Sequence, residues 1–292
     1  MSNVFHIVVS IAFHGVAYAM VLYVISVGLS LTMGMLNFVN LAHGVFAMAG
    51  GYAALWLMRT EDVPFALSLA LSALLVALVS IVLERLLYRR LYGAGELDQT
   101  LMTIGLIFMA TAAAHFAFGP LPQRVNLPPA ITGHFFIDGR DFPTYRAFLI
   151  VAGCLIFVTL WLGIERTLVG ARIRAAVDNR SMARCIGINT NALFTIVFAL
   201  GSGVAALGGG LGADIVAIAP GYAMEHLIYF LIVVAMGGLG SITGAFVAAL
   251  ILGIGDTACK ILVPEFGAFF VYVAVFIVLL FRPAGLFGRT AS

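Results

Sequence analysis

The sequence predicts an all-α fold, a polytopic bundle of about eight membrane-spanning helices in which some helices are interrupted. Of its 292 residues, 63% are hydrophobic and only 10% are charged, and the mean hydropathy is +1.12. A soluble domain of this size carries about 25% charged residues. The apolar residues also fall in long runs, and we therefore treat residues 1–292 as one transmembrane domain embedded in a lipid bilayer.

Each predicted span is a mostly apolar stretch, and a membrane helix needs about 20 such residues. The stretches are 7–32, 44–58, 65–83, 100–118, 147–164, 192–213 and 267–281. The segment 44–58 is short, as expected for a helix that follows a break rather than a full loop. A further apolar region, 227–257, is interrupted at Gly237–Gly244, which predicts either a span with a re-entrant piece or two half-spans.

The placement of arginine predicts how the chain is oriented, because loops rich in Lys and Arg stay in the cytoplasm. Loop 165–191 holds five arginines, loop 84–99 holds three and the C-terminal tail holds two, so we expect these segments on the cytoplasmic side. The N-terminus and the long loop 119–146 then face outside. The five prolines of that loop preclude a regular helix over most of it, and the sequence leaves short β pairing around His134–Ile137 open.

Polar residues interrupt the first long apolar run at Asn37, Asn40 and His43, with Gly34 and Gly44 on either side. An unpaired amide buried in lipid costs several kcal/mol, and a lipid-facing helix would not carry such a cluster. Interrupted membrane helices with polar groups at the break are typical of the places where transporters handle their substrates. We therefore predict that these three polar residues belong to a translocation path.

A second interrupted segment resembles the first. One begins Met33-Gly-Met-Leu-Asn and the other Met236-Gly-Gly-Leu-Gly, and both continue through a polar break into Gly-x-Phe and small apolar residues. Paired interrupted segments in the two halves of a transporter indicate its binding region. We therefore add Gly240, Ser241 and Thr243 to the candidate path, with chance similarity between glycine-rich membrane helices as the alternative.

The motifs of common enzymes and metal sites are absent from the sequence. A P-loop requires a lysine within GxxxxGKS/T, and the only lysine, Lys260, is followed by Ile261. There is no GxSxG or HExxH motif, and Cys154, Cys185 and Cys259 lack the spacing of a zinc site or a disulfide framework. The arginines form no patch for nucleic acid. We expect a chain that is not an enzyme and that binds neither a cofactor nor nucleic acid.

The acidic residues predict no ion-coupled motor inside the spans. The acids that lie near predicted span ends or begin predicted loops are Glu84, Glu165, Asp214, Glu225, Asp256 and Glu265. Proton-coupled carriers usually bury a carboxylate or a histidine in the membrane, and by position only His14, His43 and His115 qualify. A lone membrane histidine more often bonds a neighbouring helix, so we expect the energy for transport to come from a partner.

The arginine-rich loop 165–191 predicts a short helix at the membrane surface. Gly170 indicates a break, Ala171–Cys185 has helix-forming character, and Gly187 ends the helix. Asn189 and Thr190 can cap the next span. A helix of this kind could dock on a soluble partner, and a positively charged loop without a partner is the alternative.

Five motifs follow one another along the chain between about residues 28 and 288. They are Gly34-Met-Leu-Asn-Phe-Val-Asn-Leu-Ala-His-Gly44 with Gly50-Gly-Tyr52, Gly170-x-x-x-Arg-Ala-x-x-x-Asn179, Ala183-x-x-x-Gly-Ile-Asn189, Gly237-Gly-Leu-Gly-Ser-Ile-Thr-Gly-Ala245 and Arg282-Pro-x-Gly285. In this order they resemble the permease subunits of branched-chain amino acid ABC importers, of the LivH type. Each motif is weak by itself, and their combination is highly specific.

The resemblance implies a type II ABC importer permease, a multi-pass protein of the bacterial inner membrane with a cytoplasmic C-terminus. It implies a second homologous permease subunit, two cytoplasmic ATPase subunits and a periplasmic solute-binding protein as partners, with loop 119–146 in the periplasm. Loop 165–191 would be the coupling loop, through which ATP-driven movement of the ATPases gives alternating access. The residues that would couple to the ATPase are Gly170, Arg172, Arg174, Asp178, Asn179 and Gly187.

The substrate is less specified than the class of transporter. Branched-chain amino acids are what the resemblance implies by default, and amides or urea are close variants within the same family. A simple-sugar permease is a more distant alternative. A self-sufficient secondary carrier is a hypothesis from a different class, and it predicts transport by this chain alone.

Overall fold

The computed structural model describes residues 2–36, 38–125, 127–129, 131–137, 140–267 and 269–288. The helices are α1 (Ser2–Leu36), α2 (His43–Thr60), α3 (Phe65–Leu83), α4 (Arg89–Leu91), α5 (Glu96–Phe118), α6 (Thr144–Glu165), α7 (Leu168–Asp178), α8 (Arg180–Cys185), α9 (Thr190–Gly212), α10 (Tyr222–Glu225), α11 (Leu227–Gly237), α12 (Ile242–Leu262) and α13 (Phe270–Phe281). A π-turn at Glu84–Tyr88 joins α3 to α4 in one continuous helix, and a 3-10 turn at Pro264–Phe266 precedes α13.

Within the described ranges, six helices are long and apolar enough to cross a membrane. They are His6–Leu36, Phe65–Leu91, Glu96–Phe118, Thr144–Glu165, Thr190–Gly212 and Ile242–Leu262. The shorter apolar helices Tyr222–Gly237 and Phe270–Phe281, together with α2, account for the other predicted spans. The predicted all-α polytopic bundle is therefore confirmed. Region 227–257 contains one short helix, α11, and one full-length helix, α12, on either side of its break.

Helix α9 lies at the centre of the bundle, where it packs against α1, α2 and α3. Small residues make this packing possible, because Gly208 and Gly212 contact Ile25 and Val21 of α1 without room for a side chain. On another side of α9, Gly209 lies directly against the backbone of α2. Glycines of α9 therefore allow the central helices to approach one another closely.

A short β-hairpin covers the N-terminal part of α1. Its strands, β1 (His134–Ile137) and β2 (Arg140–Pro143), are antiparallel and pair Phe135 with Phe142. Both aromatic rings contact Phe13 of α1 edge-on, at centroid distances of 5.9 and 5.0 Å. The β pairing that the sequence leaves open is thus present, and we call this part of the molecule the hairpin end. The C-terminal part of α1 lies at the other end, beside α7.

Glu84 lies deeper in the bundle than the sequence indicates, so the expectation that it begins a loop is wrong. The predicted loop 84–99 remains helical as far as Leu91, and the Glu84 side chain is fully buried in the π-turn. Its carboxylate accepts hydrogen bonds from Tyr92 Oη and Thr195 Oγ1, each at 2.9 Å. Burial raises the pKa of Tyr92, and the adjacent carboxylate raises it further, so the phenol remains a donor.

Asp256 is likewise buried, at 3% exposure, on α12 rather than exposed at the end of a span. Its carboxylate lies 2.6 Å from the ammonium nitrogen of Lys260, one helical turn further along. A buried carboxylate is tolerated where it is paired and hydrogen-bonded. Asp256 and Glu84 both meet that condition, and the expectation that acids avoid the interior of the spans is wrong for these two residues.

Candidate translocation path and coupling surface

The first break joins α1 to α2 through buried polar side chains. Asn37 lies outside the described residues, whereas Asn40 and His43 are fully buried. The Oδ1 atom of Asn40 accepts a hydrogen bond from Tyr88 Oη at 3.2 Å, and His43 Nε2 lies 3.1 Å from the carbonyl oxygen of Ile25. A carbonyl can only accept, so Nε2 carries the proton. Each side chain therefore bonds a neighbouring helix, as expected of a lone membrane histidine.

Each of these two side chains also has a buried polar atom without a hydrogen-bond partner among the described residues. The atoms are Nδ2 of Asn40 and Nδ1 of His43. Buried polar groups are nearly always bonded, and each exception calls for an explanation such as an unseen water or a functional role. Asn40 and His43 therefore each make one hydrogen bond to a neighbouring helix and each keep one polar atom that could bond another group.

Gln99 supports the same break and was not among the residues predicted from the sequence. Its Oε1 atom accepts from the backbone nitrogen of Val39 at 2.9 Å, and its Nε2 atom donates to the carbonyls of Leu91 and Ala94, both at 3.2 Å. One buried amide in the first turn of α5 therefore links the chain after α1 to the turn after α4. An uncharged polar residue near the start of an apolar helix was the available signal.

The second break lies directly against the first helix. Gly238 and Gly240 have φ angles of +94° and +78°, a conformation that L side chains rarely adopt. Gly34 of α1 touches the Gly240 backbone and leaves no room for a side chain. The nitrogen of Gly240 donates to Ser30 Oγ at 3.1 Å. The two segments that resemble each other in sequence are therefore neighbours in space.

The remaining predicted path residues belong to the start of α12. The Ser241 hydroxyl accepts a hydrogen bond from the nitrogen of Gly244 at 2.9 Å and so caps the helix. Thr243 is half-buried and is the second residue of the same helix. Ser241 thus has a structural role in ending the break, in addition to any contact with a substrate.

The C-terminal segment closes the second break. The backbone nitrogens of Leu286 and Phe287 donate to the carbonyls of Met236 and Gly237, at 2.7 and 3.1 Å. Gly285, with a φ angle of +80°, makes the turn that allows this approach. The last carbonyls of a helix have no partner within it, and here the C-terminal segment supplies the donors for α11. Two of the five sequence motifs, one beginning at Gly237 and the other at Arg282, therefore meet at the C-terminal end of α11.

A cavity of about 800 Å³ lies where the end of α1 and the second break meet α7. Six of the residues in its wall are Gly34, Gly240, Ser241, Glu165, Arg174 and Asp178. The cavity therefore joins two of the predicted path residues to two of the predicted coupling residues. Asn40, His43 and Thr243 are not part of its wall.

Two of the predicted coupling residues hold α7 against α6. Gly170 lies within the first turn of α7, where its Cα faces the carbonyl oxygen of Ile164 without room for a side chain. Arg174 donates a hydrogen bond to the same carbonyl, and its guanidinium lies 3.8 Å from the Glu165 carboxylate. The helix begins at Leu168, so the prediction of a break at Gly170 is wrong. Close packing explains this glycine.

Two further predicted residues end helices in this region. Asn179 separates α7 from α8, and its side chain accepts from the nitrogen of Met182 at 2.9 Å. The predicted helix over Ala171–Cys185 is therefore two helices. Gly187, with a φ angle of +84°, follows α8 as expected. Asn189 caps α9 as predicted, whereas Thr190 is its first helical residue.

The outward side of α7 and α8 is apolar as well as charged. Its exposed apolar side chains are Leu168 (78% exposed), Val169 (49%), Met182 (63%) and Ile186 (69%). Arg172 and Asp178 are exposed on the same pair of helices. We call these six residues the α7–α8 surface. Exposed apolar side chains grouped with charges are typical of protein-docking sites.

Arg180 fixes the position of α8 on the bundle. Its guanidinium lies 4.8 Å from the ring centre of Phe194, and its Nη2 atom donates to Asn191 Oδ1 at 3.1 Å. Burial lowers the pKa of Arg180, and the neighbouring Arg184 lowers it further. The α7–α8 surface is therefore held by contacts to both α6 and α9.

Among the described residues, no group of three or more His, Cys, Asp or Glu side chains is placed to hold a metal ion. The three cysteines are free, with Cys154 and Cys185 exposed and Cys259 half-buried.

Residues 11–280 match the family described as branched-chain amino acid transport system / permease component. The high-affinity branched-chain amino acid transport system permease protein BraD of Pseudomonas aeruginosa is 27% identical, over 91% of each chain. The corresponding permease protein LivH of Salmonella typhimurium is 26% identical, over 95% of this chain and 94% of its own length. A probable LivH protein of Methanocaldococcus jannaschii is 27% identical, over 94% and 90%.

These similarities extend over nearly all of the folded bundle, including both breaks and α7. Together with the long apolar helices, they indicate a multi-pass protein of the inner membrane that is a transport subunit rather than an enzyme. The chain belongs to the family of branched-chain amino acid transport system permease components.

Proposed function

We propose that this chain is the permease subunit of an ATP-driven importer that moves branched-chain amino acids into the cytoplasm by alternating access. The relatives are permease proteins of branched-chain amino acid transport systems, which supports the substrate class. The observation that carries the proposal is the α7–α8 surface. It presents four exposed apolar side chains on a helix pair that is fixed to α6 and α9.

The α7 end of the bundle is the cytoplasmic end in this proposal. Arginines cluster there, in loop 165–191 and in the segment from Arg85 to Arg90, and such loops stay in the cytoplasm. The C-terminal segment shares this end, because Leu286 and Phe287 bond the last turn of α11. The hairpin end, with loop 119–146, then faces the periplasm and the solute-binding protein.

Two ATPase subunits bind at the α7–α8 surface and at its counterpart on a second, homologous permease. The exposed Arg172 and Asp178 supply polar contacts around the apolar side chains. Gly170 and Arg174 contribute on the opposite side of α7, because they hold this helix against the end of α6. A displacement of α7 is therefore transmitted to α6 and to the cavity wall at Gly240.

The translocation path includes both breaks in this proposal, with Asn37, Asn40 and His43 in one and Gly240, Ser241 and Thr243 in the other. In the described conformation, Asn40 and His43 stabilise the break through hydrogen bonds to neighbouring helices. Each keeps one polar atom without a hydrogen-bond partner among the described residues. Helix movement at the break exposes these atoms to a passing substrate. Gly240 and Ser241 lie in the wall of the cavity that opens beside α7, at the exit.

Co-purification of the ATPase subunits tests the docking step. We expect Leu168→Glu and Met182→Glu to reduce ATPase recovery by at least about tenfold, because each places a charge in an apolar contact. Leu121→Glu is the matched control, since Leu121 is 74% exposed in the loop at the hairpin end. Full ATPase recovery with both α7–α8 variants, at wild-type expression, would contradict the docking role.

A further inference from the structure

A second cavity, of about 380 Å³, lies at the hairpin end, away from both breaks. Residues of α1, α6, α12 and the segment after α9 form its wall. The wall includes Tyr18, Arg146, Ile215, Val216, Asp256 and Lys260. Cavities that bind small molecules measure about 300–1,000 Å³ and combine apolar walls with a few polar groups. The volume of this cavity lies within that range, and its wall combines aliphatic with charged side chains.

Asp256 and Lys260 of α12 form an ion pair in which the lysine is far more exposed than the aspartate. Asp256 is buried with its side chain 4% exposed, whereas the Lys260 side chain is 55% exposed. Their charged atoms are 2.6 Å apart, and the ammonium also lies 5.9 Å from the ring centre of Tyr18. A long, exposed lysine can move into water, while the buried carboxylate cannot leave. Any ligand that displaces Lys260 must therefore bring a positive charge of its own.

A separate cation faces the same cavity from another helix. Arg146 lies in the first turn of α6, lines the cavity together with His14 and interacts electrostatically with Asp214, which follows α9. The Nδ1 atom of His14 is buried and has no hydrogen-bond partner among the described residues. Guanidinium groups bind carboxylates in bidentate fashion, and this one lies on a different helix from the Asp256–Lys260 pair. The cavity thus offers separate places for a negative and a positive group.

Apart from Thr257, the rest of the wall is aliphatic. Ile215 and Val216, from the segment that follows α9, and Ile261 of α12 contribute branched aliphatic side chains. An aliphatic group placed here would lose its contact with water at little cost to polar neighbours. A ligand of the matching chemistry carries one carboxylate, one ammonium group and a branched hydrocarbon chain.

We propose that this cavity binds an aliphatic α-amino acid as a zwitterion, as an entry site of the permease, which rests on the proposed function. The ligand's carboxylate pairs with Arg146, and its ammonium group replaces that of Lys260 at Asp256. Its side chain packs on Ile215 and Val216. The exchange at Asp256 keeps the buried carboxylate neutralised throughout. When no ligand is bound, the ammonium group of Lys260 pairs with Asp256. When the substrate is bound, its own ammonium group takes that place.

Direct binding of radiolabelled L-leucine to the purified permease–ATPase complex in nanodiscs, without the solute-binding protein, tests this site. We expect Arg146→Gln and Asp256→Asn each to weaken binding by about tenfold or more, because each removes a charge-assisted contact. Arg124→Gln is the control, since Arg124 is an exposed arginine at the same end. Size-exclusion profiles and melting temperatures establish that each variant is folded.

Lys260→Gln distinguishes a zwitterion site from an anion site. Removal of the lysine frees Asp256 for the substrate, so we expect leucine to bind as tightly as to the wild type or more tightly. A site for anionic lipid headgroups would lose affinity with the same change. Competition adds a second criterion, because 4-methylpentanoate and isopentylamine each satisfy only one charged position and should compete at least about tenfold more weakly than leucine.

Three results would overturn the entry site. They are wild-type leucine affinity in both Arg146→Gln and Asp256→Asn, weaker leucine binding in Lys260→Gln, and displacement of leucine by anionic lipid. ATP-driven leucine uptake by the wild-type assembly is measured in parallel. If the wild-type assembly takes up leucine and assemblies with Arg146→Gln or Asp256→Asn take it up equally well, the entry site is wrong and the proposed function stands. If the wild-type assembly shows no uptake, the proposed function fails, and the binding results are judged separately.

Discussion

Single residues in this protein stabilise the contact between helices that are distant in sequence. Glu84 illustrates this most clearly, because its carboxylate joins the π-turn to Thr195, 111 residues away, and to Tyr92. The guanidinium of Arg89 lies 3.9 Å away and adds a positive charge. Sequence placed Glu84 at the start of a loop because a charge after an apolar run is usually a span end. Its burial depends on partners that only the fold brings together.

Glu84→Gln tests the buried carboxylate. The amide oxygen keeps one of the two hydroxyl donors, but the NH2 group replaces the acceptor of the other, so we expect a loss of about 1–3 kcal/mol in the free energy of unfolding. Glu61→Gln is the control, because Glu61 is exposed after α2. Thermal unfolding in detergent measures the difference. An unchanged melting temperature for Glu84→Gln would show that the two hydrogen-bond donors and the nearby Arg89 do not require a charge at this position.

At the level of the helices, the two breaks and α7 behave as one connected region. Sequence similarity paired the breaks, and the structure adds the contact between Gly34 and Gly240 and the bond from Gly240 to Ser30, 210 residues apart. The position of Gly170 is a useful contrast. A glycine in a predicted surface loop indicated a turn, whereas here it lies in a helix and permits backbone contact with α6. Sequence cannot separate these two uses of glycine.

Alanine substitutions distinguish packing glycines from neutral ones. Gly34→Ala and Gly170→Ala place a methyl group against backbone, so we expect each to lower stability by about 1–3 kcal/mol and to reduce transport. Gly105→Ala and Gly163→Ala are the controls, because nothing lies within 4 Å of the added methyl group at either site. Those two changes should be neutral or slightly stabilising, by up to about 1 kcal/mol.

Melting temperature and leucine uptake, measured on the same preparations, test this contrast. Equal melting temperatures for the two packing variants and the two controls would contradict the proposed close contacts. Reduced uptake in the packing variants at normal stability would instead locate the defect in coupling between α7 and the breaks.

For the whole molecule, sequence predicted the class of fold and most span positions, because hydropathy is a local signal. It also indicated the first break, the cap at Asn189 and the turn at Gly187 correctly. It could not predict the two cavities, since each is formed by helices from separate parts of the chain. The position of Arg146 in the same cavity wall as the Asp256–Lys260 pair was invisible for the same reason. Long-range packing decides where polar residues meet.

The central claim is that this permease moves branched-chain amino acids only as part of an ATP-driven assembly. Uptake of radiolabelled leucine into proteoliposomes tests it, with the permease pair alone or together with the ATPase subunits and the solute-binding protein. We expect uptake by the complete assembly to require ATP, and none by the permease pair under proton or sodium gradients. Leucine accumulation by the permease pair alone, driven by an ion gradient, would contradict the account.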